Sequence, residues 1–268
     1  MKRIVSRDNP TFRDLRDLAR DSRRQKREGR ALIDGPHLVA AAIDHGVMPE
    51  IVVVSESAVV LPEVAALLAR MPGVPALCLR DELVHEISEL KTPVGILAFI
   101  AVLPASTFTS TGDCLLLDTV QDAGNVGTLL RTAAAAGVRD VLLGPGCAGA
   151  WTPRVLRAGQ GAHFALNIYE SVDLAAFLGS YAGRAVATVA HAGRSLYDLD
   201  CAGSTAWLFG SEGAGVATEL IGLCSDRVTI PLAPDSESLN VAAAAAVCLF
   251  EMRRQRTMEK STLAGRHH

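Results

Sequence analysis

The 268-residue chain is most easily read first through what it has little of. No apolar run approaches the ~18 residues that a membrane-spanning helix needs. Residues 93–104 come nearest, and they fit a buried strand better. The opening MKRIVSRDNP carries no apolar stretch of the signal-peptide kind, so we expect a cytoplasmic protein. The six cysteines (78, 114, 147, 201, 224, 248) form no CxxC pair and mostly lie in apolar segments. They read as buried free thiols in a reducing compartment. No Cys/His group has ligand spacing, so we expect no metal. No Gly-rich turn is followed by G-K-[ST], which removes the P-loop. No G-x-S-x-G is present, which removes the hydrolase elbow. Disorder is excluded by a 49% hydrophobic content. We find no internal repeat and no low-complexity segment beyond the alanine run at 242–246.

Charge is also scarce on balance, at −3, which by itself argues against a nucleic-acid partner. Its distribution argues the other way. Residues 1–30 hold eleven Lys/Arg against five Asp/Glu, a net of +6, so the rest of the chain carries −9. Arg23, Arg24, Lys26, Arg27 and Arg30 make up the densest part. Such a run is commonly a solvated helix face. Alternatively, it is an RNA-binding arm that gains affinity by releasing condensed counterions. Phe12 is the only aromatic nearby, so base stacking is not signalled.

What is abundant is alternation. RALIDG reads as a strand and PHLVAAAIDHG as a helix, with Pro at its start and Gly at its end. IVVVSE, LPEVAALLARMPG, PALCLR, DELVHEIS and VGILAFIAV continue strand, helix, strand, helix, strand. This gives a first α/β domain over 1–103. The polar stretch PASTFTSTG, 104–112, reads as a linker. A second domain, 113–260, alternates again. Its strands are expected near 114–118, 140–144, 165–169, 184–190, 205–209 and 227–231. Its helices are expected near 125–136, 153–159, 173–182, 217–223 and 239–256. The fold class is therefore α/β with a largely parallel sheet in the second domain.

Three segments of that domain place polar or Gly residues just after an apolar strand, where open α/β sheets bind ligands. LLLDTVQDAGNVGTLLRTAAAAGV (115–138) carries N-x-G-x-x-x-R-T-A at 125–133. WLFGSEGAGV carries G-S-E-G-x-G at 210–215. VTIPLAPDSESLNV carries I-P-L at 230–232 and S-L-N at 238–240. A rival signal is G-x-G-x-x-G at 144–149, the pyrophosphate fingerprint. Its context fails, because Thr152-Pro153 looks like a fresh helix start beyond the last Gly, and no acidic residue ends the next strand at the right distance. A dinucleotide-dependent oxidoreductase is the weaker reading.

The three motifs, in this order and spacing, resemble those of the SpoU (TrmH-type) family of RNA ribose 2′-O-methyltransferases, within the SPOUT superfamily. The resemblance covers roughly 113–256, and a weaker one extends over the N-terminal part. It implies an L30e-like RNA substrate-binding domain before the catalytic domain, and a C-terminal trefoil knot, which sequence rules alone would not anticipate. It implies S-adenosylmethionine as cofactor and RNA as substrate, with 23S ribosomal RNA expected ahead of tRNA. A catalytically silent RNA-binding homologue is the other alternative. It further implies a homodimer formed through the catalytic domain. Matching positions assign Asn125, Arg131, Glu212, Ser238 and Asn240 to catalysis. Gly210, Ile230, Leu232, Leu239 and Leu208 are assigned to the cofactor.

The residue chemistry suits these roles to different degrees. The family's general-base role for the matching arginine sits poorly with a guanidinium that keeps its proton beyond pH ~12. A phosphate clamp that also stabilises the forming alkoxide is the more economical role for Arg131. Glu212 would orient Arg131, accept a proton through water, or simply cap the helix near 217. Asn240 would contact substrate or cap the last helix. Ser238 has the same two readings, substrate contact or anchor. Many family members carry Pro after the residue matching Asp122; here Ala123 stands there, and the turn loses one stiffening element.

Overall fold

The computed structural model describes residues 1–103 and 111–264, with side chains through 258. The chain divides into two compact units, Met1–Pro104 with Trp151–Phe164, and Ala105–Ala150 with Ala165–His268.

In the first unit, β1 (Lys2–Ile4) precedes α1 (Pro10–Arg20) and α2 (Ser22–Glu28). Asn9 starts α1: its side-chain oxygen accepts from the N–H groups of Thr11 (3.0 Å) and Phe12 (3.3 Å), and Pro10 takes a position that lacks an intrahelical partner anyway. Asp21 ends that helix and caps the next by accepting from the Arg24 N–H, so the basic run is broken into two helices. Then follow β2 (Arg30–Asp34), α3 (Pro36–Asp44), β3 (Ile51–Ser55), α4 (Pro62–Ala69), β4 (Ala76–Leu79), α5 (Asp81–Ile87) and β5 (Ile96–Ala101). The sheet order is β1-β4-β3-β5-β2, with β5 antiparallel to both neighbours. Phe12, Leu18, Val53, Leu97 and Phe99 form the centre of one core cluster.

The second unit opens with β6 (Cys114–Asp118), α6 (Ala123–Ala136) and β7 (Asp140–Leu143). α7 (Pro153–Gly159) follows in sequence but belongs to the first unit, where it packs against β2. Val155 and Leu156 are fully buried there, and a Cβ at Gly161 would lie 2.7 Å from that of Ala41. The span 113–260 is therefore not one continuous structural unit. The expected linker, 104–112, lies outside the described residues except for Thr111 and Gly112. The unit continues with β8 (Asn167–Glu170), α8 (Leu174–Ser180), β9 (Arg184–Thr188), β10 (Arg194–Ser195), β11 (Thr205–Gly210), α9 (Thr218–Leu223), β12 (Asp226–Thr229) and α10 (Val241–Ala264).

Its seven strands run parallel in the order β10-β12-β9-β11-β6-β7-β8. Leu115, Leu116 and Leu117 are fully buried, as strands covered on both faces require. Helix α10 packs on α6 and β11. Trp207 Nε1 donates to Met252 Sδ at 3.2 Å, and the Arg256 guanidinium grips both carboxylate oxygens of Asp113 just before β6. The 144–149 Gly segment is a loop after β7 that does not open a helix. A Cβ on Gly144 would meet the Leu174 side chain at 3.0 Å, so this glycine serves packing.

Candidate active site

The carboxyl ends of β9, β11 and β12 meet the start of α10 around a cleft of about 490 Å³. Three chain reversals build it. After β11, the turn Ser211–Gly215 folds back on the strand: the Gly215 N–H donates to the Ser211 carbonyl at 2.9 Å, and Gly215 adopts φ +70°. A Cβ on Gly210 would lie 2.0 Å from the Gly215 carbonyl carbon, so this close return tolerates only glycine. After β9, the loop 189–193 holds Ala192 at φ +61°. The Gly193 N–H donates to Thr229 Oγ1 at 3.1 Å and pins that loop to β12. After β12, Ile230 and Leu232 wall the cleft, and Ser238 and Leu239 close it before α10.

Most of the assigned residues converge here. Gly210, Glu212, Ile230, Leu232, Ser238 and Leu239 all line the cleft. Asn125 and Asn240 join it through a hydrogen-bond chain. Asn240 Oδ1 accepts from the N–H groups of Ala242 (2.9 Å) and Ala243 (3.3 Å), which makes it the cap of α10. Its Nδ2 donates to Asn125 Oδ1 at 3.0 Å, and Asn125 Nδ2 donates to Glu212 Oε1. The two readings of Asn240, cap and site residue, therefore coexist in one side chain. Asp122 caps α6 by accepting from the Asn125 N–H at 2.8 Å, so the turn holds with Ala123 in place of proline.

Two assigned residues are not part of the cleft lining. Leu208 is fully buried in the core with Leu116, Leu142, Leu174 and Phe177, and does not line the cleft. Side chains alternate faces along a strand, and it is Phe209 that reaches the cleft. Arg131 lies six residues beyond Asn125, about 9 Å along α6 and about 120° around it. It is exposed and has no hydrogen-bond or ion-pair partner among the described residues. Glu212 thus bonds Asn125 and does not orient Arg131. Nor does it cap α9; the Ala217 N–H at that helix start donates to Asp118 Oδ2 at 2.8 Å. Asp118, Thr188 and His191 were not assigned from sequence. Asp118 and Thr188 end strands β6 and β9, and Thr188 Oγ1 donates to the Leu208 carbonyl at 2.9 Å.

Charge in the cleft is sparse. Among its lining residues, Glu212 is the one carboxylate and His191 the one side chain able to carry positive charge. No thiol offers a ready nucleophile: burial pushes Cys201 and Cys224 up to about 11 and raises the remaining four as well. Cys147 and Cys224 are half-buried, less enclosed than their apolar surroundings imply. Among the described residues no three His, Cys, Asp or Glu side chains group as a metal site would require.

In the first unit, the basic arm separates into two kinds of cation. Arg24 is held by Asp14 and Glu28, which raise its proton affinity further. Arg30 donates to Glu50 at 2.7 Å and lies over the Phe99 ring. Arg23, Lys26 and Arg27 are exposed and without partners among the described residues. The free part of the expected RNA-binding set is therefore these three.

Residues 114–250 match the model of the SpoU rRNA Methylase family, and residues 9–98 match that of the MRM3-like substrate binding domain. The 23S rRNA (guanosine(2553)-2′-O)-methyltransferase RlmP of Bacillus subtilis is 32% identical over 94% of this chain and all of its own length. The mitochondrial rRNA methyltransferase 3A of Danio rerio is 30% identical over 93% of this chain and 69% of its own. Among solved structures, an AdoMet-bound rRNA methyltransferase from Sinorhizobium meliloti superposes with a TM-score of 0.82 at 27% identity, covering 94% of this chain and 97% of that one.

Proposed function

The chain belongs to the SpoU rRNA methylase family, and from that premise we propose that it transfers a methyl group from S-adenosylmethionine to a ribose 2′-hydroxyl of 23S ribosomal RNA. The observation that carries this reading is the chain of bonds from the α10 start through Asn240 and Asn125 to Glu212, a cleft-lining carboxylate. It presents amide donors and acceptors and one base at the edge of an otherwise largely apolar cleft. The substrate class is supported by the activities named for the relatives.

The residues fit the cofactor. The glycine cradle at Gly210 leaves backbone exposed where a Cβ would fill the space. The cleft volume falls within the roughly 300–1,000 Å³ of small-ligand sites. Ile230, Leu232 and Leu239 give apolar walls, and Glu212 gives negative charge suited to a cationic ligand. When bound, the cofactor supplies an electrophilic methyl carbon on a sulfonium. The protein's work is then positioning and proton management. Asn125 and Asn240, fixed by the caps of α6 and α10, orient the ribose hydroxyl. Glu212 receives its proton through water. Arg131, unpaired on α6, holds an RNA phosphate and stabilises the charge that grows on the attacking oxygen. Ser238 adds a hydroxyl at the cleft wall. Arg23, Lys26 and Arg27 hold the RNA backbone from the N-terminal unit.

The same reading includes the trefoil knot, formed by the segment from Ile230 into α10, and a homodimer through the catalytic unit. Exposed Phe250 and Met258 on α10 support the dimer. Six free thiols support a cytoplasmic setting.

The test is transfer of labelled methyl from S-adenosylmethionine to unmodified 23S RNA and, separately, to tRNA. A 2′-O-methyl removes the nucleophile for alkaline cleavage, so label must appear in an alkali-resistant dinucleotide from 23S RNA. Label in tRNA alone moves the substrate, and label in alkali-sensitive mononucleotides overturns ribose methylation.

A further inference from the structure

We propose that His191 is a cofactor-binding residue that holds the α-carboxylate of the amino-acid end of S-adenosylmethionine. The inference rests on the cofactor reading above and goes beyond it by assigning one end of the ligand.

The argument starts from the charges the ligand carries. An S-adenosyl amino acid ends in a carboxylate, and an anion entering a small cleft is costly without a matched donor. Among the described residues the cleft lining contains no Lys or Arg, and His191 is the one side chain there able to become cationic. Of the other polar side chains, Thr188 donates to Leu208, Thr229 accepts from Gly193, the Ser211 hydroxyl accepts from Ala214, and Glu212 accepts from Asn125, which leaves Ser238 as a neutral hydroxyl that brings no charge to meet an anion. His191 has no hydrogen-bond or ion-pair partner among the described residues and is exposed at the cleft.

The loop is also built to present it. Ala192 sits in the left-handed region at φ +61°, a conformation that costs free energy for a residue with a Cβ. Gly193 beside it is wedged against β12, where a Cβ would lie 2.6 Å from Thr229 Oγ1. The nearby cation Arg194 is occupied by Asp226 at 3.2 Å and by the Asp198 carbonyl, so it is committed elsewhere. A strained, pinned loop that carries an unpartnered imidazole at the cleft is what a residue presented to an anionic ligand group requires.

The test compares two ligands that share the adenosine and the sulfur. S-Adenosylhomocysteine has the carboxylate, and 5′-methylthioadenosine lacks the whole amino-acid end. Both are titrated calorimetrically into the full-length parent, His191→Ala and His191→Lys. The proposal expects His191→Ala to weaken S-adenosylhomocysteine about tenfold, the scale of one charge-assisted hydrogen bond, and to leave 5′-methylthioadenosine within twofold. His191→Lys should restore S-adenosylhomocysteine binding to within about threefold of the parent, on the same scale. If both ligands weaken equally in His191→Ala, the residue shapes the loop and does not bind the carboxylate, and the proposal falls. Unchanged binding of both overturns it as well. Failure of the parent to bind either ligand overturns the cofactor reading itself.

Discussion

Gly210→Ala is the sharpest test of how the cleft is built. Gly210 is not in the left-handed region, so alanine meets no backbone objection, and the whole effect is steric. The added carbon would lie 2.0 Å from the Gly215 carbonyl carbon and 2.2 Å from the Val216 nitrogen, where ordinary contact begins at 3.4 Å. The turn must retreat by about 1.4 Å. Neither side yields easily. Gly210 is paired with Asp118 in the sheet, and Val216 is buried. The turn opens instead, at the expense of the Gly215-to-Ser211 bond. Overpacking plus one lost hydrogen bond comes to about 2–4 kcal/mol. For a chain of this length that lowers Tm by roughly 5–15 °C. Because Glu212 rides on the turn, S-adenosylmethionine binding should weaken by about tenfold or more, the equivalent of about 1.4 kcal/mol. Gly213→Ala is the control: nothing lies within 4 Å of its added carbon. Its Tm should match the parent in scanning fluorimetry. If the two variants melt alike and Gly210→Ala still binds S-adenosylmethionine as the parent does, the cradle is not what shapes the cleft.

Three further perturbations separate the roles of particular groups. Arg131→Ala should leave Tm and S-adenosylmethionine affinity within a few-fold while methyl transfer drops by about a hundredfold or more, the scale of a lost oxyanion donor; equal loss of binding and transfer would remove Arg131 from the chemistry. Arg23→Ala, Lys26→Ala and Arg27→Ala should each weaken RNA binding and reduce its salt slope by roughly one, whereas Arg24→Ala should barely change the slope; a matching change for Arg24 would show that its ion pairs open on RNA. Burial raises the proton affinity of the Asp34 carboxyl, with Ser88 and Arg157 partly opposing it. A carboxyl raised on folding is tolerated while protonated, and stability is lost as pH rises through its folded value. Asp34→Asn, able to keep the Ser88 bond, should therefore melt higher than the parent at about pH 8, with the gap closing toward about pH 4; a constant gap across that range contradicts the burial argument.

What could be read from the sequence, and what could not, follows from how far each feature's causes lie along the chain. The apolar run Leu115–Leu117, the proline-started helices α3 and α7 and the Gly-containing turn after Trp207–Gly210 carry their own local causes, and each forms where expected. The edge strands β1 and β10 do not. Lys2–Ile4 has no periodicity of its own and becomes a strand because Leu77–Leu79 offers a parallel edge. Helix α7 was legible as a helix, yet its membership in the first unit depends on β2, more than a hundred residues away. The Leu208 side chain falls in the core and not in the cleft lining because alternation says that Leu208 and Phe209 face opposite ways but not which face holds the cleft. Arg24 and Arg30 looked like Arg23 and Arg27 in a basic run, and only Asp14, Glu28 and Glu50 distinguish them.

The same reasoning explains why His191 went unassigned while Asn125, Glu212 and Asn240 did not. Those three lie in motifs whose spacing carries information. His191 becomes conspicuous only in the folded cleft, where no other described residue brings a cationic side chain. A site's bonded framework is thus partly legible in one dimension, but its charge balance is set by which groups the fold leaves out. The comparison of the two adenosyl ligands is directed at that balance, since their defining difference is the charged end that the framework residues do not meet.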